Sequence, residues 1–240
     1  MDPLTAVAAS GLRARMESLE MVANNVANAS TGGYKSDREF YSLYVAPEAE
    51  SETLTTMPVI ERPWTDLSQG VLTSTGNPLD LAISGKGFFA INGPSGPLYT
   101  RNGSFRRAND GTLVTMDGYA VRAAGGGTLV LNAAGVVEVS SDGTVSQDGN
   151  AVGQIEIQDF PATGVVKRGS NYFVADPSVQ PAASDASVSQ GQLESSNAGG
   201  AESAVRLIDI MRQFEMLQKA ASLGLEMNQQ AIQNVAKVGS

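Results

Sequence analysis

Apolar residues recur at alternating spacings of three and four at both ends of this chain, and at a spacing of two in its middle. Near the N-terminus Ala8, Leu12, Leu19, Val22, Val26 and Ala29 form one stripe, broken only at Arg15, which has Met16 beside it. Such a stripe predicts an amphipathic helix from residue 3 to about residue 30, with a narrow, coiled-coil-like seam. Asp2 suits the cap and Pro3 the first helical position. Gly32 and Gly33 offer the left-handed conformation that closes a helix. At the other end Leu207, Ile210, Phe214, Leu217, Ala221, Gly224, Ala231, Val235 and Val238 predict a second helix from about residue 200 to 238, interrupted at Asn228.

Between the helices, Leu79, Leu81 and Ile83 alternate with Asp80, Ala82 and Ser84, the two-residue period of a strand. Four Asp-Gly pairs follow, beginning at Asp110, Asp117, Asp142 and Asp148. Asp-Gly favours tight hairpin turns in which both central residues take positive φ. Short β-rich runs at 112–115, 128–131, 136–139 and 154–158 lie among them, so an antiparallel sandwich or barrel-like region is expected over 76–176. Residues 34–75 hold Pro47, Pro58 and Pro63 and an acidic run at Glu48, Glu50 and Glu52, and read as extended segments and loops. The expected fold class is α+β: paired N- and C-terminal long helices, coiled-coil-like, plus a central antiparallel all-β domain. Residues 1–33 with 198–240 would make a terminal-helix domain, 34–75 with 177–197 an extended connecting region, and 76–176 the β domain.

Composition narrows the function classes. Hydrophobic residues are 42% of the chain but aromatics only 6%, which predicts an aliphatic, alanine-rich core. A net charge of −9 argues against nucleic acid, whose binding rests on neutralising phosphates. Absence of cysteine removes disulfides and thiolate chemistry, and absence of histidine removes the commonest general base and metal ligand. The first residues lack the basic start and apolar run of a secretory signal, and no apolar stretch approaches the ~18 residues of a membrane span, so no membrane insertion is expected. Asp80 lacks an acid partner and reads as a hydrogen-bonded structural residue rather than a catalytic one. Residues 142–149 lack the ligand set of a calcium loop. Gly85-Lys86-Gly87 lacks the strand–loop–helix setting of a phosphate loop, and close backbone approach at strand turns explains its glycines better. No enzyme activity and no cofactor are expected.

Three blocks carry more specific information. The first is Ala23-Asn24-Asn25-Val26-Ala27-Asn28-Ala29-Ser30-Thr31-Gly32-Gly33-Tyr34-Lys35, where three asparagines in five residues are costly within a helix. The second runs from Gly70 through Asp80 to Phe89 and continues in Tyr99-Thr100-Arg101-Asn102-Gly103-Ser104-Phe105 and Gly118-Tyr119. The third is Gly191-Gln192-Leu193-Glu194-Ser195-Ser196-Asn197, followed in the last helix by Arg212-Gln213-Phe214-Glu215-Met216. Together these resemble the signature blocks of bacterial flagellar axial proteins, the rod and hook family. Arg212 to Met216 resembles the proximal-rod subclass. Ala198-Gly199-Gly200 departs from the aliphatic residue usual there, which loosens the expected helix start.

The resemblance implies a structural subunit of the flagellar basal-body rod, in which the terminal helices line a central channel and the β domain lies outside. It implies partners in other rod subunits and further copies of this chain in a helical assembly, export through the flagellar type III apparatus without a cleaved signal, and a place in the periplasmic rod. Leu12, Leu19, Val22, Asn24, Asn25, Val26, Asn28, Leu207, Ile210, Phe214, Leu217 and Val235 are the expected assembly interface, with the asparagine amides bonding laterally to neighbours. A distal-rod or hook-like subunit, and more remotely an adhesin or phage-tail-like fibre, are the alternatives.

Overall fold

The computed structural model describes residues 3–39, 41–45, 56–60, 64–169 and 171–238. Asp2, Pro47, Pro63 and the acidic run at 48–52 lie outside them. Two compact units emerge: Met1–Ala27, Asp37–Trp64 and Gly199–Ser240 form one, and Asn28–Ser36 with Thr65–Ala198 the other.

The first unit is helical. Helix α1 spans Pro3–Ala27 and helix α2 spans Gly200–Val238, and the two pack against each other. An antiparallel hairpin of strands Tyr41–Val45 and Thr56–Ile60 joins them, its second strand alongside α1. α2 has the predicted extent. α1 stops earlier than predicted, because residues after Ala27 turn: the Thr31 amide donates to the Asn28 carbonyl at 3.0 Å and the Thr31 hydroxyl to the Asn28 side chain at 3.1 Å. Gly33 then takes the left-handed conformation, φ 68°.

The second unit is antiparallel β throughout its pairings. Its main sheet runs in the order Val165–Arg168, Tyr172–Ala175, Gly96–Thr100, Phe88–Gly93, Ala120–Val121, Leu113–Thr115 and Phe105–Arg107, with Ile157–Asp159 also paired to Phe88–Gly93. A meander of Val137–Val139, Thr144–Gln147 and Asn150–Gln154 lies apart from it. The return segment supplies two more strands: Ser187–Gln190 pairs with Leu81–Ser84, and Gln192–Glu194 with Leu72–Ser74. The run 128–131 makes only isolated bridges, Thr112 to Val130 and Arg122 to Thr128, although Leu129 and Leu131 are buried.

Two apolar clusters fill this unit, and strands Phe88–Gly93 and Gly96–Thr100 each feed both. Phe89 and Ile91 enter a core with Leu81, Ile83, Phe105, Leu113 and Val121, while Phe88 and Ala90 enter another with Tyr99, Phe160 and Phe173. Alternate residues of a strand point to opposite faces, so a strand buried on both faces serves two cores. The first core is aliphatic, as expected from composition, but built of Leu, Ile and Val rather than alanine, whereas the second is mainly aromatic. Aromatics are few, but Phe88, Phe89, Phe105, Phe160 and Phe173 are all concentrated here.

The Asp-Gly turns divide into two kinds. Only Asp148-Gly149 has positive φ at both residues, 51° and 80°. At the other three the glycine alone is left-handed, and its amide donates three residues back, to Ala108, Thr115 and Ser140. These are tight turns closed by one left-handed glycine, so only the last fits the turn expected from the dipeptide.

Candidate assembly interface

The face of α1 turned inward is a line of small and polar residues: Gly11, Ala14, Ser18, Val22 and Asn25 are buried. Leu12, Leu19 and Val26 are half-buried beside it. The inward line is thus shifted from the predicted stripe, sharing only Val22. Two causes are visible. A β-carbon at Gly11 would touch the Leu217 side chain at 3.8 Å, so small residues let the helices approach closely. Ser18 and Asn25 tolerate burial because both are bonded: Ser18 Oγ donates to Glu39, which also receives Arg206 from α2. Asn25 Nδ2 donates to the Asp37 carbonyl at 2.8 Å, and the Asp37 amide donates to Asn25 Oδ1 at 3.0 Å.

On α2 the predicted seam is the least exposed line. Ile210 is buried, and Leu207, Phe214, Leu217, Ala221 and Gly224 are half-buried. Val235 falls within α2, and its side chain, like those of Ala8, Asn228, Ala231 and Val238, lies outside the described residues. Asn24 is exposed and Asn28 half-buried in the turn after α1.

Sequence periodicity missed a second apolar line on α2. Val205, Met216, Leu223 and Met227, with Ile208 to one side, are all more than half exposed. Their separations of eleven, seven and four residues are close to whole turns of a 3.6-residue helix, on the side away from Ile210 and Leu217. α2 thus carries large apolar side chains on two opposite sides, one covered by α1 and one turned to solvent, where exposed Asp209, Arg212 and Lys219 stand among them.

The β unit holds a group of buried charges that no local pattern announces. Lys35 Nζ lies 2.5 Å from Glu194 Oε1 and Arg101 Nη1 3.2 Å from Glu194 Oε2, with the Lys35 and Glu194 side chains fully buried. Lys35 also donates to the Ser68 carbonyl at 2.6 Å, the Gly70 amide to Glu194 Oε1 at 2.8 Å, and Arg101 Nη2 to the Gly85 carbonyl at 2.7 Å. Burial pulls the Lys35 ammonium below the ordinary lysine range, against the upward pull of Glu194. It pulls Arg101 in the same direction.

Each of the three sequence blocks supplies one member of this cluster, and their glycines allow the approach. A β-carbon at Gly33 would stand 2.3 Å from the Asn102 amide nitrogen, and one at Gly70 would stand 2.0 Å from the Ser195 carbonyl. Asn197 adds a further tie: its Oδ1 accepts from the Ser36 amide at 2.7 Å and its Nδ2 donates to the Asp66 carbonyl at 2.7 Å. The blocks are thus contact points of one structure. Asp80 behaves as a structural residue. It is buried, accepts from Asn77 Nδ2 at 3.0 Å, and its carbonyl accepts from the Gly191 amide at 2.8 Å. Both Asp142 carboxylate oxygens are taken by Thr144, at 3.0 and 2.8 Å.

Comparison with known proteins agrees with this arrangement block by block. Residues 6–35 match the family model described as flagella basal body rod protein. Residues 82–147 match that of the flagellar hook protein FlgE/F/G D1 domain, and 189–235 that of the flagellar basal body rod FlgEFG protein C-terminal. The chain is 34% identical to the flagellar basal-body rod protein FlgF of Caulobacter vibrioides, over 92% of each chain. It is 32% identical to the FlgF of Mesorhizobium japonicum, over 87% of this chain and 88% of that one. To the flagellar basal-body rod protein FlgG of Agrobacterium fabrum it is 32% identical, over 92% and 95%. With terminal helices, β unit and signature contacts all accounted for along its length, the chain belongs to the family of flagellar basal-body rod and hook proteins.

Proposed function

We propose that the chain is a structural subunit of the flagellar basal-body rod, in its proximal segment. It assembles helically with its own copies and with other axial proteins and carries torque across the periplasm. The observation that supports this best is the second apolar line of α2, Val205, Met216, Leu223 and Met227, which stays exposed after α1 has covered the other face. Exposed large apolar side chains rimmed by polar residues mark an interaction site. A subunit that offers different surfaces front and back makes heterologous contacts, and these build open helical arrays.

In this reading the helices pair in a coiled-coil-like manner and line a channel. Leu12, Leu19, Val22, Val26, Leu207, Ile210, Phe214 and Leu217 hold the helix pair in the shape that neighbours meet, and Asn24 belongs to the surface they meet. The chain leaves the cytoplasm through the flagellar type III export apparatus without loss of a signal peptide. The resemblance of Arg212 to Met216 to the proximal-rod subclass, and the FlgF relatives, support the proximal position. The 32% identity to a FlgG supports a distal-rod position as the second reading. Immunolocalisation in isolated basal bodies separates the two.

Val205→Asp and Leu223→Asp test the assembly reading. Both variants are expected to keep the melting curve of the isolated chain and to lose rod incorporation and motility. Normal rods and swimming in both would overturn it.

A further inference from the structure

Beside the ion cluster, and within the same β unit, a cleft of about 490 Å³ opens. Leu67, Phe88, Phe160 and Pro161 wall it, Lys86 and Asp159 stand at its rim, and Arg101 lies at its floor. The Phe88 and Phe160 rings are 6.2 Å apart, and both are buried.

The floor is incompletely paired. The Arg101 side chain is only 4% exposed. Its two terminal nitrogens bond to Gly85, Glu194 and, at 3.5 Å, the Ile83 carbonyl. Its Nε finds no acceptor among the described residues. The buried cluster sets two cations, Lys35 and Arg101, against the one carboxylate of Glu194. Asp159 at the rim acts on Arg101 through space, while its Oδ1 accepts from the Phe160 amide at 2.8 Å. A buried cation without its full set of acceptors is costly, and a further carboxylate relieves that cost. The aromatic walls add a preference for a carboxylate carried among apolar groups over a bare anion. In a chain of net charge −9, such a site also lets subunits of like charge meet.

We propose that this cleft receives an acidic residue flanked by aliphatic ones, presented by a loop of a neighbouring axial subunit. Its carboxylate is held by Lys86 above the positive charge of Arg101, and its aliphatic neighbours lie on Phe88, Phe160 and Leu67. The identity of the occupant as a neighbouring subunit rests on the rod reading above. Burial already draws Lys35 and Arg101 downward in pKa, and a second carboxylate would oppose that pull.

The test is a nuclear magnetic resonance titration of the full isotope-labelled chain. The probes are N-acetyl-Leu-Asp-Leu-amide, its Leu-Asn-Leu counterpart, and acetate. The Asp peptide is expected to shift the amides of Gly85, Gly87 and Phe88 and the Arg101 Nε–H. The Asn peptide should bind at least about tenfold more weakly, the loss of roughly one charge-assisted bond. Acetate at the same concentrations should shift none of them. Lys86→Glu, an exposed change, should abolish peptide binding and leave the melting curve unaltered. Equal responses to the two peptides, the same shifts with acetate, or no response at millimolar peptide would each overturn the proposal. The titration uses the free chain, so its failure stands even where Val205→Asp and Leu223→Asp block assembly. Peptide binding together with Lys86→Glu rods that assemble normally would overturn the neighbouring subunit as occupant.

Discussion

Asn25 and Asp37 exchange two hydrogen bonds, the side-chain amide of one meeting the backbone of the other as a second strand would. Removing that amide strands a peptide donor and acceptor. Asn25→Ala is expected to destabilise the helical unit by about 2 kcal/mol, the cost of leaving partly buried polar groups unsatisfied. Asn25→Asp keeps the acceptor, loses the donor, and should fall between. Faster hydrogen exchange at the Asp37 amide reports the effect directly, and unchanged exchange in Asn25→Ala would refute it.

Glu194 is the single carboxylate between two buried cations. Glu194→Gln keeps its shape and removes its charge, leaving Lys35 and Arg101 only the weaker through-space pull of Asp66 and Asp159. Breaking a buried ion pair from one side costs about 3–5 kcal/mol. The β unit should unfold at markedly lower denaturant concentration. Adding Lys35→Met to that variant should recover part of the loss, since one stranded cation is then gone. A double variant no more stable than Glu194→Gln would contradict this account.

Gly33 and Gly76 have nearly the same backbone, φ 68° and 73°, in different surroundings. Nothing lies within 4 Å of a β-carbon at Gly76, whereas one at Gly33 would meet the Asn102 nitrogen at 2.3 Å. Gly76→Ala should cost about 1 kcal/mol, the strain of a left-handed alanine. Gly33→Ala carries the same strain and a backbone collision, and should cost several times more. Comparable melting temperatures for the two variants would show that the approach at Gly33 is not tight.

Tyr172 donates to Asp117 Oδ2 at 2.5 Å. Burial first and this bond second push its phenol up to about 12. The folded state therefore holds the phenolic proton where the unfolded chain, with a tyrosine near 10, has released it. The stability this contributes is fully present below about pH 10 and is lost as pH rises through about 12. Burial raises Tyr99 too, so ultraviolet titration of phenolate should lose one tyrosine's high step in Tyr172→Phe while that of Tyr99 stays. A high-pH titration of unchanged amplitude after the substitution would refute this.

Local pattern revealed what depends on local spacing. The three-and-four stripe gave α2 its full extent, and the Asp-Gly pairs marked real turns. What escaped was decided at a distance. Ser18 and Asn25 sit on the buried face of α1 because Glu39 and Asp37 satisfy them, and no periodicity reports partners beyond the helix. The second apolar line of α2 was hidden because Asp209, Arg212 and Lys219 interrupt it at the intervening three-and-four positions. Lys35, Arg101 and Glu194 were each visible within a signature block, but their meeting was not. The useful hint was a charge set among glycines and apolar residues in every block.

The link between Lys35 and Glu194 joins residues 159 positions apart. Ring closure of that span has an entropic cost, and contacts so remote in sequence form late in folding. During synthesis, which proceeds from the N-terminal end, Lys35 emerges early and Glu194 only 159 residues later. Until then the lysine lacks its buried partner and the Gly33–Asn102 contact lacks its final brace. Completion of the β unit in this way waits on the strand that carries Glu194.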